Sequence, residues 1–509
     1  MALTKQEYLN WLKHPHKERC LLVVLDGYNL TTDLVETFYL SNMSYQTTPT
    51  DTPANIAFNP CLKGDPFFSH SIPFYTPRGE TDIGNIEIDN VNASFDNWLS
   101  YSFVGRSVKI YMYDATANFD DFSTFPIIDG VIDDVEFENT ETISVKIKNW
   151  MYKIDKPIQE NLLTSPSPSE NEPYPICYGL TRNISPVLID PNQQGGRYTI
   201  DDGQINDILN IYDNGVLLTP PNGSYTKYNS LGEFVLKQRP VGTVTADIQG
   251  IYSTKWLTSI ADIIEHIVLN YGELTASEID STSFSDFDTD RPYTVGIYIK
   301  ERQNILDILD ELLNSVGGYY VGSRDGKLRI GYIKDPSLST PVAYFGGIGN
   351  DLIIDNSVSI KKLNEVEWRT TLGYQRNWTI QTADQLAGSV NDPDFADKEK
   401  VAWLGKQSLT VTAETSSVKT KYLNSIETEK YETLLDSETD AQTEANYRHS
   451  ILSAQRHAVT FTVFTTPLQL NAGDVVYIEY DRFNLAHNVQ ILQLKDYYTL
   501  GYVEIMGWF

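Results

Sequence analysis

The chain has 509 residues, enough for about three to four folding units that each close a core of their own. Hydrophobic residues make up 41% and charged residues 21%, ordinary globular usage that excludes a disordered chain and a collagen-like or coiled-coil rod. Lys and Arg number 39 against 68 Asp and Glu, a formal charge of −29; this sign argues against phosphate recognition on nucleic acid and against an anionic membrane surface.

Residues 4 to 14 read as a short helix, because Tyr8, Trp11 and Leu12 share a face before Pro15 stops the pattern. Residues 1 to 19 therefore form an N-terminal helical segment that docks on a neighbour. From 20 to 159 the signal is β: LLVVLDG, SVKIYMYD, FPIIDGVIDDVEFE and TISVKIKNW are rich in Val, Ile, Phe and Tyr and are divided by Gly, Asn and Asp turns. This block is expected to form a first barrel or sandwich. Residues 160 to 175 alternate Ser, Pro and acidic side chains and are expected to form an extended linker.

Residues 176 to 255 return to β as a small module, with a hairpin turned at Asn214-Gly215. In 256 to 350 the period changes. Leu257, Ile260, Ile263, Ile264, Ile267 and Val268 recur at helical spacing up to Gly272, an acidic loop is expected over 281 to 292, and a second amphipathic helix spans 303 to 316. It ends at Gly317-Gly318 and feeds a hairpin turned at Asp325-Gly326, so this stretch predicts an α+β domain. Residues 351 to 509 form a second β block, interrupted from 374 to 453 by an insert with a Trp/Asn/Gln-rich loop and an acidic helix around 431 to 452. The fold class is mainly β with an α+β portion. No period of roughly 20 to 50 residues repeats, which excludes a solenoid or propeller.

The chemistry-bearing residues form no constellation. Cys20, Cys61 and Cys177 are scattered and odd in number, so they make neither a disulfide framework nor a metal knuckle, and a reducing compartment fits them. The start of the chain carries no apolar h-region, and the run 21 to 25 is too short for a signal or a membrane span. His14, His16, His70, His266, His449, His457 and His487 show no HExxH or paired spacing. No GxSxG elbow follows a strand, and Cys177 lacks a nucleophile signature. Residues 286 to 290, DFDTD, open like an EF-hand loop, but Arg291, Pro292 and Ile297 break the ligand pattern. Gly346-Gly347-Ile348-Gly349 lacks a following Lys-Ser/Thr pair and reads as a turn. The expected catalytic, cofactor-binding and metal-binding residues are therefore none.

The order of segments carries more information. YLSNMSYQTTPTDTPANIAFNP (39 to 60), FPIIDGVIDDVEFENTETISVKIKNW (125 to 150), YPICYGLTRNISPVLID (174 to 190) and IYDNGVLLT (211 to 219), with RQNILDILDELLNSVGGYYVGSRDGKLRIGYIKDP (302 to 336), resemble the hub proteins of bacteriophage tail tips and baseplates. This is the trimeric family shared by long-tailed phages, tailocins and gene transfer agents. TTLGYQRNWTIQ and QRHAVTFTVFTTPLQLNAGDVVYIEYDRFNL are similar in the same sense. The resemblance runs from about residue 20 to 509 and supports a role more than a site.

It implies a homotrimer with two β-barrel hub domains per chain, adapting a hexameric tail tube to a threefold tip and lining the DNA-ejection channel. The implied partners are the distal tail ring, the tape-measure protein and a central fibre or spike, with DNA passing through the lumen unread. An acidic wall suits that passage. The implied location is the virion tail tip, assembled in the host cytoplasm, with no cofactor, no enzymatic activity and no stable membrane insertion. A rival reading from composition is a carbohydrate-active or receptor-binding protein, with Trp98, Trp256, Trp368, Trp378 and Trp403 as sugar platforms beside paired carboxylates. It predicts saturable binding or cleavage of a glycan.

Overall fold

The structure, a computed structural model, describes all residues except 1–2, 13–18, 65–66, 115–116, 149, 220–223, 324, 348–352, 393, 395–396, 465–469 and 498–500. Strands hold 42% of the residues and helices 20%, which makes the chain mainly β with an α+β portion, as the alternation patterns predict.

The first sheet is built around Arg19–Asn29, which pairs antiparallel with Leu34–Ser41 on one side and Ser107–Asp114 on the other. It continues through Ile128–Asn139, Thr142–Lys148 and Ile86–Asp89. Leu22, Val23, Leu25, Ile110, Ile132, Ile143 and Val145 are buried in its core, where β-branched side chains fit a pleated, covered surface. The Lys5–Leu12 helix docks on this sheet of its own chain. The Tyr8 ring stacks on Phe125 at 5.3 Å, its hydroxyl donates to the Met112 carbonyl at 3.2 Å, and the Trp11 indole donates to Asp114 at 2.9 Å.

Phe67–Ser71 and Glu80–Ile83 leave this sheet although they lie within its stretch of sequence. They pair with each other, and Phe67–Ser71 also pairs with Leu485–Tyr497, in register from Tyr497↔Phe67 to Gln493↔Ser71. The last sheet, ordered Ala343–Phe345, Val475–Tyr480, Leu485–Tyr497, Tyr502–Trp508, His457–Val463 and Ser359–Lys362, therefore incorporates two strands from the N-terminal block. Trp508 is fully buried there, donating to Gln490 Oε1 at 2.9 Å. Among the described residues, the pairings of neither sheet close into a ring.

Between the two sheets, Ile176–Ile184 lies next to Val244–Ile251 on one side and Gly296–Ile299 on the other. Gly179 faces Gly296 in that second pairing, and a Cβ on either would stand 1.8 Å from a carbonyl oxygen, Val295 O or Leu180 O. The Asn214-Gly215 turn closes the expected hairpin with both residues in the left-handed region (φ 48° and 83°), the geometry of a type I′ turn. The 160–175 stretch differs from the expected extended linker. It folds back on itself, with Leu163 N bonded to Glu172 O and Asn171 N to Leu163 O, because Leu163 is buried and Ser167 Oγ donates to Leu188 O.

The two predicted amphipathic helices are Ile260–Asn270, capped by Ser259, and Ile305–Asn314, capped by Asn304. The expected acidic loop is instead a helix, Ser281–Asp290, capped by Asp280 and anchored by buried Phe284 and Phe287. The acidic helix of the insert starts at Glu438 and runs to Leu452, and Tyr431–Glu432 ahead of it is a short strand parallel to Glu367–Tyr374. Ala441 and Ala445 of that helix join Ile264, Leu309 and Leu313 in one core, so the insert packs on the helical region.

Candidate functional site

Each histidine within the described residues has a packing partner; His14 and His16 lie outside them. His70 Nε2 accepts from Ala472 N at 3.1 Å. His266 Nδ1 shares a hydrogen bond of 2.9 Å with the Tyr178 hydroxyl, and His449 bonds Thr370 Oγ1 at 3.3 Å and Thr415 Oγ1 at 2.9 Å. Burial pushes the pKa of both His266 and His449 below the ordinary imidazole value, which favours the neutral ring. His457 and His487 each stack on the Phe509 ring, at 5.6 and 4.7 Å.

All three cysteines are buried and free, with burial raising the Cys20 and Cys61 thiols to about 12 and Cys177 further. These are thiols, not thiolates, and poor nucleophiles. Among the described residues no group of His, Cys, Asp and Glu is placed to hold a metal. Residues 286 to 290 are helical, and Asp290 accepts from the Tyr332 hydroxyl and Lys334. Gly346 and Gly347 both sit at positive φ in a turn, while Ile348 and Gly349 lie outside the described residues.

The tryptophans are dispersed. Trp98 is buried among Phe38, Phe95 and Phe103. Trp368 carries Lys419 at 3.3 Å and Arg369 at 4.4 Å, and Trp378 carries Arg376 at 4.1 Å. Trp403 donates to Gln375 O at 3.1 Å and lines a cleft of about 630 Å³ with Arg182, Asn210, Tyr212, Asp247 and Lys400. Asp247 accepts from Asn183 N (3.0 Å), Asn210 Nδ2 (3.0 Å) and the Tyr212 hydroxyl (2.8 Å). Arg182 holds Asp436 through two bonds of 2.8 and 3.1 Å, and Lys400 sits 3.9 Å from the Tyr212 ring, with burial lowering its pKa. Asn183 Nδ2 and Asn377 bridge the two walls at 2.9 Å. These polar groups bond one another, so their chemistry is to fasten the 375–409 segment onto the small β module.

Two further polar centres were not readable from spacing. Asp201 is buried, accepting from Cys177 N at 2.7 Å and Gly203 N at 2.9 Å; burial outweighs those bonds and raises its carboxyl to about 7. Its Asp-x-Gly spacing signals only a turn. The other centre lies where the first block, the helical region and the insert meet. Glu444 and Arg448, one helical turn apart and essentially unexposed, bond at 3.0 Å, and Arg291 Nε lies 3.9 Å from the second Glu444 oxygen. Arg448 also donates to the Asn314 carbonyl. The Arg291 guanidinium lies between the Tyr332 and Tyr447 rings at 4.0 and 4.1 Å, and Tyr75 from the N-terminal block faces Arg448 at 5.6 Å. This cluster locks three chain segments by desolvated charge and cation–π contact.

No protein-family model matches the chain, and no curated protein matches it in sequence. Among solved structures it is similar to a tail protein from Neisseria meningitidis MC58, with a TM-score of 0.41 and 9% identity over 96% of each chain. It is also similar to the prophage tail protein gp18 from Listeria monocytogenes EGD-e, with a TM-score of 0.41 and 10% identity over 96% of this chain and 93% of that one. A chain in the virion of a native gene transfer agent particle is similar with a TM-score of 0.45 and 13% identity, over 69% of this chain and 86% of that one.

Proposed function

We propose that this chain is a structural, non-enzymatic hub protein of a bacteriophage tail tip or baseplate. Three copies form a ring that adapts a sixfold tail tube to a threefold tip and surrounds the channel through which DNA leaves. The observation that carries this reading is the strand exchange: two β-rich blocks, far apart in sequence, are held side by side by the pairing of Phe67–Ser71 with Leu485–Tyr497. Two such blocks per chain, repeated about a threefold axis, supply six β units around a ring.

The segment 302 to 336, which carries the most specific resemblance, folds as the helix Ile305–Asn314, a glycine pair with Gly317 at positive φ, and the hairpin Gly318–Gly322 with Leu328–Tyr332. The charge of −29 suits a wall along which a polyanion slides. The partners in this reading are the distal tail ring, the tape-measure protein and a central fibre or spike, and the location is the virion tail tip.

Light scattering on the purified chain, followed by electron-microscope class averages alone and with tail proteins, tests the reading. A threefold ring with a central opening is expected, formed alone or on mixing. A chain that stays monomeric in every mixture and is absent from purified tails overturns it.

A further inference from the structure

The tip of the first sheet is apolar and open at its edge. The hairpin joining Arg19–Asn29 to Leu34–Ser41 exposes Leu30, Leu34 and Val35 (59, 63 and 52%), and beside them stand Leu99 (74%) and Val104 (60%). These residues are neighbours: Leu30 N donates to Ser100 O at 2.9 Å, Tyr28 and Asn29 pair with Ser102 and Tyr101, and the Arg106 guanidinium lies 5.2 Å from the Tyr28 ring. Leu34 and Val35 are successive strand residues and lie on opposite faces, so the exposed aliphatic side chains flank the edge on both sides of the sheet.

The outer edge of Leu34–Ser41 meets Ala57–Pro60 only at Leu40 and Ser41. Alternate residues between 34 and 39 thus direct backbone donors and acceptors outward, the arrangement that recruits an added strand. Carboxylates ring the tip. Asp26 and Asp33 accept from Thr37 and Tyr28, Glu36 accepts from Tyr101 at 2.6 Å and from Asn29 at 2.8 Å, and Asp134 lies two residues beyond Ile132, whose backbone bonds Gly105 and Arg106. A second copy would bring the same acidic rim against this one and be repelled. An added strand with its aliphatic side chains on the Leu34 face and its basic ones on the opposite face, where Asp26 pairs with Thr37, matches both faces of this edge.

We propose that this tip is a docking edge for another protein's segment, which adds as a β-strand to Leu34–Ser41 and alternates aliphatic residues with Lys or Arg. The inference goes beyond the hub reading and is tested apart from it, on the isolated full chain. The probe is a labelled peptide of alternating Lys and Val, seven residues long, followed by fluorescence anisotropy at 150 mM salt. Controls are a Glu-Val analogue and a Lys-Val peptide with Pro at its centre, which keeps the charge but cannot complete the ladder.

Saturable binding of the Lys-Val peptide, at least tenfold tighter than either control, is expected, with at least a tenfold loss in both Leu34→Glu and Leu99→Glu. These two positions are exposed, so both variants keep the wild-type circular dichroism and melting temperature. Absence of saturable binding, equal binding of the proline peptide, or unchanged binding in both variants overturns the proposal. Self-association of the wild-type chain that Leu34→Glu abolishes also overturns it, in favour of a second copy. The peptide outcomes do not bear on ring formation, and self-association abolished by Leu34→Glu is compatible with a ring, so it overturns the docking proposal alone and the two readings fail separately.

Discussion

Replacing Glu444 by Gln removes a carboxylate shared by two buried guanidinium groups, Arg448 at 3.0 Å and Arg291 at 3.9 Å. At an effective dielectric of about 20, each contact corresponds to roughly 4 to 6 kcal/mol of attraction. The desolvation of three charges offsets much of that in the intact cluster, so the net loss expected on removing one partner is about 3 to 5 kcal/mol. For a cooperative unit of about 150 to 250 residues this lowers the melting temperature by roughly 6 °C or more. Differential scanning calorimetry reads the shift directly in whichever transition contains the helical core. The double variant Glu444→Gln with Arg448→Met should recover at least half of the loss, because it also removes a cation left uncompensated. A shift under about 2 °C, or a double variant no more stable than the single one, would refute the reasoning by showing that water already screens these charges.

Asp201 gives a pH-dependent test. Its folded pKa, about 7, lies above the ordinary carboxyl value, so the native state binds the proton more tightly than the unfolded chain does; stability is highest below about pH 4 for this group and falls as pH rises towards 7. Asp201→Asn leaves one of the two backbone donors without an acceptor at every pH, so the titration shows in the difference between pH values: the stability lost between pH 4 and 7.5 should be larger in the wild type than in the variant by up to about 4 kcal/mol, as read by urea denaturation. The buried thiols Cys20, Cys61 and Cys177 should react with a disulfide reagent at pH 8 more than a hundredfold slower than free cysteine, and all three at the free rate after denaturation. Gly179→Ala places a Cβ 1.8 Å from Val295 O at a φ of +63°, so it should abolish soluble expression, whereas Gly105→Ala, with open space around it at a φ of +78°, should cost only about 1 to 2 kcal/mol in the same unfolding assay.

Local signals in the sequence located the local structure. The strands of the first sheet, the Ile260–Asn270 and Ile305–Asn314 helices and the Asn214-Gly215 hairpin all have apolar periods or turn residues that act within a few positions. The Ser281–Asp290 helix escaped because STSFSDFDTD places only Phe284 and Phe287 on a buried face, and its capping Asp280 looks like one more loop carboxylate. The Glu438–Leu452 helix covers only part of the 431–452 span that its composition predicts, and its buried face contains Glu444, Arg448 and His449, a stripe that reads as solvated until the partners Arg291 and Asn314 are known. The departure of Phe67–Ser71 from its own block could not be read, because FFSHS alternates equally well for either sheet and its pairing is set more than four hundred residues away. For the same reason the Arg182–Asp436 and Asn183–Asn377 ties across the cleft had no signal in spacing.

That long pairing has a consequence for biosynthesis. His70 receives its bond from the Ala472 amide, 402 residues later. At about 5 to 20 residues per second, a ribosome needs roughly 20 to 80 s to deliver the matching strand. During that interval the core around Leu22 and Ile110 can close from local pairings, with Phe68 and Ile83 packed into it, while Phe67–Ser71 and Glu80–Ile83, paired with each other, wait as a two-stranded flap whose Phe67–Ser71 edge is open. Nascent chains crowded on one message could exchange that flap, the last sheet of one completed by the strands of another. Slowing initiation, so that successive chains are spaced apart, should then raise the yield of correctly closed protein, and the benefit should vanish in refolding from dilute denaturant, where neighbours are absent.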